Sequence, residues 1–79
     1  MFEWDPVKAT QNLRKHGVSF AEAATALLDP LSKTALDPYY IGEQRFLAFG
    51  LSLRGRLLAV LYTERRSAIR IISARLATP

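Results

Sequence analysis

The chain has 79 residues, of which 49% are hydrophobic, with a net charge of +4 and no cysteine. This length fits one domain over residues 1–79, and the lack of cysteine excludes a disulfide framework and a thiolate zinc site. One histidine is too few for a histidine-built metal centre, and the apolar runs fall far short of the roughly 20 residues that span a bilayer. We therefore expect a soluble, cytoplasmic protein that uses no metal or other cofactor.

The charge is divided unevenly along the sequence. Residues 1–44 carry four basic residues against six acidic ones, whereas residues 45–79 carry seven arginines against Glu64 alone. A guanidinium group is planar and has five donors, so it suits phosphate better than a compact ammonium group does. The second half therefore predicts a polyanionic ligand or an acidic partner, with an ordinary solvated basic surface as the alternative.

The first predicted helix begins at Asp5-Pro6 and ends near His16. An aspartate before a proline is typical of a helix start, because the carboxylate caps free N–H groups and proline fits the first turn. Gly17 follows the last turn and suits the left-handed conformation that closes many helices. The helix therefore has a local signal at each end.

The second predicted helix follows Ser19. Ser19 and Glu22 have the spacing of a capping box, and apolar residues then recur at helical intervals as far as Leu28. The helix stops at Asp29-Pro30, because the residue before a proline is driven out of the α region. Only residues 17–19 separate the two helices, which predicts a helical hairpin.

Four strands are predicted after the helices, at residues 31–36, 45–52, 57–62 and 68–74. The run from Leu57 to Tyr62 is apolar at every position and is too short for a buried helix, which favours a central strand. Gly55 supplies the turn that precedes it. The predicted fold is α+β, with an N-terminal helical hairpin packed on a four-stranded antiparallel sheet.

The last two predicted strands are apolar on both faces, whereas two short helices cover only one face of a sheet. We therefore expect something else on the second face. The candidates are a partner protein, a second copy of the chain, or a C-terminal helix. The sequence stops at Pro79, so a C-terminal helix is expected to be absent or truncated.

Several segments together resemble the BrnT family, the toxin components of bacterial type II toxin–antitoxin pairs. They are F-E-W-D at the start, K-H-G-V-S-F between the helices, then Y-T-E-R and R-I-I-S-A-R, and the similarity extends from Phe2 to Thr78. The resemblance implies a RelE-like fold and a ribonuclease activity that blocks translation. It also implies neutralisation by BrnA, an antitoxin that has a ribbon-helix-helix part. The complex is then expected to contact DNA only through this part of the antitoxin.

Cleavage of RNA without a metal needs a base for the 2′-OH proton, positive charge beside the phosphorane, and an acid for the leaving 5′ oxygen. His16 is the only side chain of a type that titrates near neutral pH, and Glu64 is the only carboxylate in the basic half. Lys15, Arg65 and Arg75 are candidates for binding phosphate and stabilising its charge. Three further arginines are predicted RNA contacts at the strand ends: Arg54, Arg56 and Arg70.

These candidates also have structural interpretations. Residues 14–16 lie in the last turn of a helix, where basic groups compensate the helix dipole, and Glu64 with Arg75 suits a salt bridge. Tyr39 and Tyr40 suit base stacking, although a packing lid is favoured. A second function class is a basic sheet that binds an acidic partner or nucleic acid without chemistry. Direct DNA binding is a weaker third, since no recognition-helix pattern is present.

Overall fold

The computed structural model describes residues 1–38 and 41–77. Its elements in chain order are β1 Phe2–Glu3, α1 Pro6–His16, α2 Phe20–Leu27, β2 Lys33–Leu36, β3 Arg45–Leu51, β4 Leu57–Arg65 and β5 Ala68–Leu76. The strands form one sheet in the order β1-β5-β4-β3-β2, in which β1 runs parallel to β5 and the other neighbours are antiparallel. Among the described helices, none is both long and apolar enough to cross a membrane. The expectations for Tyr39, Tyr40 and Pro79 fall outside the described residues.

The α+β class is confirmed, but the hairpin on a four-stranded antiparallel sheet is wrong in two respects. The sheet is mixed and has a fifth strand, because Phe2 and Glu3 pair in parallel with Ile69 and Arg70. A strand of two residues is too short to show a sequence period. The helices are joined by residues 17–19, yet they pack mainly on the sheet, with α1 against β5 and α2 against β3, β4 and β5.

The helix ends follow the predicted local signals. A carboxylate oxygen of Asp5 accepts a hydrogen bond from the Val7 N–H at 2.9 Å, and Gly17 closes α1 with a left-handed φ of 70°. Ser19 Oγ accepts a hydrogen bond from the Glu22 N–H at 3.0 Å and caps α2. Local capping therefore fixes both helix starts and the sharp turn between the helices.

A buried amide ties α1 to the strand β5. Asn12 Nδ2 donates hydrogen bonds to the carbonyl oxygens of Val18 at 2.9 Å and Ala74 at 2.8 Å, and Asn12 Oδ1 accepts from the Ala74 N–H at 3.1 Å. Asn12 is only 7% exposed, so losing any one partner leaves a buried polar group unsatisfied, at a cost of about 1–3 kcal/mol. The amide therefore sets where α1 crosses the sheet.

The core lies between the helices and one face of the sheet. Phe20 from α2 packs in one cluster with Leu58 and Val60 from the central strand β4, and all three are essentially fully buried. The approach of α2 to β3 is so close that a Cβ atom at Gly50 would collide with the carbonyl oxygen of Ala26. A glycine is therefore required at that point of β3.

A buried carboxylate connects α2 to the turn between β3 and β4. Glu22 Oε2 accepts hydrogen bonds from Ser52 Oγ at 2.7 Å and Arg56 Nε at 2.9 Å, and Arg56 Nη2 bonds Oε1. Arg56 Nη2 also donates to the carbonyl oxygen of Gly17 at 3.0 Å. The hydrogen bonds from Arg56, more than any other cause, lower the pKa of Glu22 from 4.5 to about 2 despite its burial.

The Glu22→Gln variant should lose a contribution to stability that depends on pH. The pKa of Glu22 is depressed in the folded state, so its contribution is fully present above about pH 4.5 and is lost as the pH falls towards about 2. At neutral pH we expect the free energy of unfolding of the variant to be lower than that of the parent protein by on the order of 3 kcal/mol. This difference between the two proteins should shrink steadily in acid. Denaturant unfolding across this pH range measures it.

The matched control is Glu64→Gln, which removes an exposed carboxylate at the end of β4. Its free energy of unfolding should stay within about 0.5 kcal/mol of the parent value at neutral pH. A Glu22→Gln variant that loses stability in acid as steeply as the parent protein would contradict the role given to this carboxylate.

Candidate functional site

A groove of about 260 Å³ lies where α1 crosses the edge of β5. Seven residues line it: Lys8, Gln11, Asn12, Lys15, His16, Ile72 and Ser73. Lys8, Asn12 and Lys15 recur at helical spacing, so they share one face of α1, and the bonds of Asn12 hold that face against β5. Two lysines and the single histidine of the sequence therefore lie on one wall, and Ser73 lies on the other.

A β-bulge shapes the strand side of the groove. Leu61 pairs with Ser73 and Tyr62 pairs with Ile71, so the register skips Ile72. An extra residue of this kind bends its strand and redirects nearby side chains, which is why bulges are frequent beside active sites. Here the skipped residue and its neighbour Ser73 both line the groove.

Three of the predicted arginines lie on the sheet face opposite the helices, here called the outer face: Arg65, Arg70 and Arg75. Leu58 and Val60 point into the helix-side core, so Ala59 between them points to the outer face. Arg75 is the cross-strand partner of Ala59 and shares its face. Ser73 lies about 7 Å before Arg75 on the same face and also lines the groove. The groove and the outer-face arginines therefore meet along β5.

Two of these arginines pair with carboxylates near the surface. Arg70 Nη1 lies 3.1 Å from Glu3 Oε2, beside the parallel pairing of β1 with β5. Arg65 donates to both carboxylate oxygens of Glu43, at 3.0 and 3.2 Å, and these hydrogen bonds hold the pKa of Glu43 below its ordinary value. Solvent-exposed ion pairs of this kind are weak, so both guanidinium groups can exchange a carboxylate partner for another anion.

The structure brings together only part of the predicted catalytic set. Lys15 and His16 lie together in the groove, and Arg75 lies beside it. Glu64 and Arg65 end β4 at the far end of the β4–β5 hairpin, and neither lines the groove. Among residues 1–38 and 41–77, no group of three or more His, Cys, Asp or Glu side chains lies close enough to hold a metal ion.

The structural alternative of a salt bridge between Glu64 and Arg75 is wrong. Arg75 is the partner of Ala59, which lies five residues before Glu64 in β4. The two side chains are therefore separated by about 16 Å along the strand. Within the described residues, Arg75 Nη1 donates to the carbonyl oxygen of Leu76 at 3.3 Å.

The two arginines of the β3–β4 turn belong to the Glu22 cluster. Arg56 is bonded to the Glu22 carboxylate and to the carbonyl oxygen of Gly17, which gives it a structural role. Arg54 Nη1 lies 3.6 Å from Glu22 Oε1, but the side chain of Arg54 remains 69% exposed. The pairing has no local sequence signal, because Glu22 and Arg56 are 34 residues apart and the position of Glu22 after Ser19 indicates only a helix cap.

Sequence reasoning also missed Lys8, Gln11 and Ser73 as groove residues. The signal for the first two is the recurrence of polar residues on one face of α1, at positions 8, 11, 12 and 15. Ser73 has no comparable signal, because its place depends on the bulge, and a one-residue change of register moves a side chain to the other face.

Comparisons with known proteins agree with this architecture. A family model described as the ribonuclease toxin BrnT of type II toxin–antitoxin systems matches residues 4–79. The 1.1 Å crystal structure of the Brucella abortus ribonuclease toxin BrnT is similar at 28% sequence identity with a TM-score of 0.72, and the alignment covers 100% of this chain and 99% of that chain. A comparison with curated proteins finds no match. Since the family match covers nearly the whole sequence, this chain belongs to the BrnT family of ribonuclease toxins of type II toxin–antitoxin systems.

Proposed function

We propose that the chain blocks translation by cutting single-stranded RNA without a metal ion, at the groove between α1 and β5. The observation that carries the proposal is the groove itself, which holds Lys15 and His16 opposite Ser73 and beside Arg75. A proton-transfer group and two kinds of phosphate ligand therefore stand at one strand edge.

The proposed reaction is an internal transfer of the phosphate. The 2′ oxygen attacks the adjacent phosphorus and the bond from phosphorus to O5′ breaks, which leaves a 2′,3′-cyclic phosphate and a free 5′-OH. His16 takes the proton of the 2′-OH as the general base. The Lys15 ammonium group gives a proton to O5′, and Arg75 donates hydrogen bonds to the nonbridging oxygens as their charge rises.

The other predicted residues extend the proposed contacts along the RNA. Arg70 on the outer face and Arg54 at the exposed turn bind flanking phosphates, and the groove residue Lys8 joins them, about 10 Å from Lys15 along α1. Glu64 is proposed as a second proton-transfer group and Arg65 as a phosphate ligand. Both lie at the turn of the β4–β5 hairpin, outside the groove.

The proposed antitoxin is a BrnA-like protein with a ribbon-helix-helix part, and it supplies the DNA contacts of the complex. Support comes from the resemblance of F-E-W-D, K-H-G-V-S-F and R-I-I-S-A-R to the family that pairs with such antitoxins. We expect a short reading frame next to the toxin gene that encodes this protein. Its co-expression should relieve growth arrest caused by the toxin, and a neighbour of another fold that gives the same relief would overturn this antitoxin assignment.

Cleavage should persist in EDTA and should depend on His16. With a single-stranded RNA substrate, we expect an unchanged rate in chelator and a loss of about 100-fold or more in the His16→Ala variant, which lacks the proposed base. Loss of activity in EDTA would overturn the metal-independent mechanism. A fully active His16→Ala variant would leave His16 as a helix-terminal residue only.

Lys15 and Arg14 provide a matched pair at the end of α1. Lys15 lines the groove beside β5, whereas Arg14 lines a neighbouring depression and not the groove. Replacing either by alanine removes one charge from the same helix end, so the effects on the helix dipole are similar. We expect Lys15→Ala to slow cleavage by about 100-fold and Arg14→Ala to cleave like the parent protein. Equal losses in both variants would contradict the placement of the site.

Product analysis separates the ribonuclease from a binding module. A 2′,3′-cyclic phosphate end on the product supports the proposed transfer reaction. Salt-dependent binding of RNA with no cleavage by the parent protein would instead favour the non-catalytic alternative.

A further inference from the structure

The outer face carries an apolar surface at the centre of the sheet. It is built from three cross-strand pairs of β3 and β4, and we call it the outer patch: Leu47 with Leu61, Phe49 with Ala59, and Leu51 with Leu57. Gly50 and Leu58, which alternate with these residues, face α2 and the core. The outer patch therefore lies opposite both helices.

Three of the six residues of the outer patch are open to solvent, whereas Ala59 at its centre is only 2% exposed. Phe49 is 37% exposed, Leu51 is 51% exposed and Leu57 is 44% exposed. Central strands that are apolar on both faces are normally covered on both faces, and contiguous exposed apolar surface marks an interaction site more often than scattered residues do. This observation bears out the expectation from the sequence that the two helices leave one face of the sheet uncovered.

Cationic side chains lie around the outer patch: Lys33, Arg45, Arg70 and Arg75. Lys33 is the partner of Phe49 and Arg75 is the partner of Ala59, so one row across the sheet has a cation at each end and apolar side chains between. Among the described residues, two carboxylates lie among the outer-face cations, Glu3 beside Arg70 and Glu43 beside Arg65, so the cations remain in excess. The outer patch is therefore apolar at its centre and positive at its margin.

This charge pattern discriminates between occupants. In a two-fold dimer the same surface patch meets itself, so a second copy of this chain would bring Lys33, Arg75 and their neighbours close to the same cations of its partner. Like charges facing each other oppose such an association. A partner with apolar side chains flanked by carboxylates matches both the centre and the margin.

The dimensions of the outer patch fit a helix. Neighbouring strands are about 4.8 Å apart, and the distance from Leu47 to Leu51 is about 13 Å along β3. A helix about 10 Å wide with two to three turns covers an area of this size. An amphipathic helix that places leucine-like residues on one side and aspartate or glutamate at the edges would fill it.

We propose that the outer patch is the docking surface for an acidic amphipathic segment of the antitoxin. The proposal deepens the function proposed above and rests on it for the identity of the partner, because a type II toxin is neutralised by a protein. Docking here also covers Arg70 and Arg75, two of the cations proposed to bind RNA. The antitoxin then blocks the RNA path along β5 as it covers the apolar centre.

The test uses Leu51→Glu and the matched control Leu13→Glu, with the cognate antitoxin purified as the probe. Both leucines are 51% exposed, but Leu13 lies on α1, away from the outer face. We expect Leu51→Glu to weaken the affinity for the antitoxin about tenfold or more and Leu13→Glu to leave it unchanged. Calorimetric titration measures both. Parent-like affinity of a folded Leu51→Glu variant would overturn the proposal.

Two further measurements do not depend on how Leu51→Glu folds. Lys33→Glu changes an exposed residue of β2 and should also weaken antitoxin binding, because it places a carboxylate where the acidic segment docks. Hydroxyl-radical labelling of the parent protein should show that Phe49 and Leu57 lose reactivity in the complex while Leu13 does not. Unchanged labelling of Phe49 and Leu57 would overturn the proposal.

RNA cleavage by the free variants separates this proposal from the ribonuclease mechanism. We expect free Leu51→Glu to cleave RNA at the parent rate and to resist inhibition by the antitoxin. If neither the parent nor the variant cleaves RNA but only Leu51→Glu loses antitoxin binding, the docking surface stands and the ribonuclease mechanism fails. If the antitoxin binds both equally and inhibits both, the docking surface fails and the mechanism stands.

Discussion

In the described part of the chain, the five-stranded sheet is covered by two helices of 11 and 8 residues, and both helices lie on the same face of the sheet. On that face Leu58 and Val60 are fully buried, whereas Leu51 and Leu57 on the other face remain about half exposed. A chain of this length buries only about 60% of the surface that it exposes when unfolded. A protein that covers the outer face therefore adds apolar burial that the isolated chain lacks, so partner binding and stability are linked.

The groove exists because β1 is so short. β1 pairs only with the start of β5, and farther along the strand the side chain of Asn12 takes the place of a neighbouring strand. Asn12 Oδ1 accepts a hydrogen bond from the Ala74 N–H, and Asn12 Nδ2 donates one to the carbonyl oxygen of Ala74. A neighbouring strand would make the same two bonds. The outward backbone groups of Ala74 are thus satisfied without a strand, and the helix that carries Lys15 and His16 lies directly beside Ser73.

Sequence patterns located the features whose physical cause is local. The caps at Asp5, Gly17 and Ser19 depend on atoms within four residues along the chain, and they formed as predicted. The pairing of Phe2 with Ile69 and that of Glu22 with Arg56 join segments that no local pattern connects. For the same reason the residue types of the site could be proposed from the sequence. Which of them lie in the groove and which lie at the hairpin turn depends on the register of β4 against β5, and no local pattern shows that register.

The basic half of the sequence contains arginines with different physical roles. Arg56 satisfies a buried carboxylate, and its charge is used inside the fold. Arg70 and Arg75 lie on the outer face, where an RNA phosphate and an antitoxin carboxylate compete for the same donors under the docking proposed above. Phosphate contacts weaken steeply as salt rises, whereas burial of apolar surface such as Phe49 does not depend on ionic attraction. Under the proposed docking, the apolar centre of the outer patch therefore gives the antitoxin an advantage over RNA that shared cations alone do not provide.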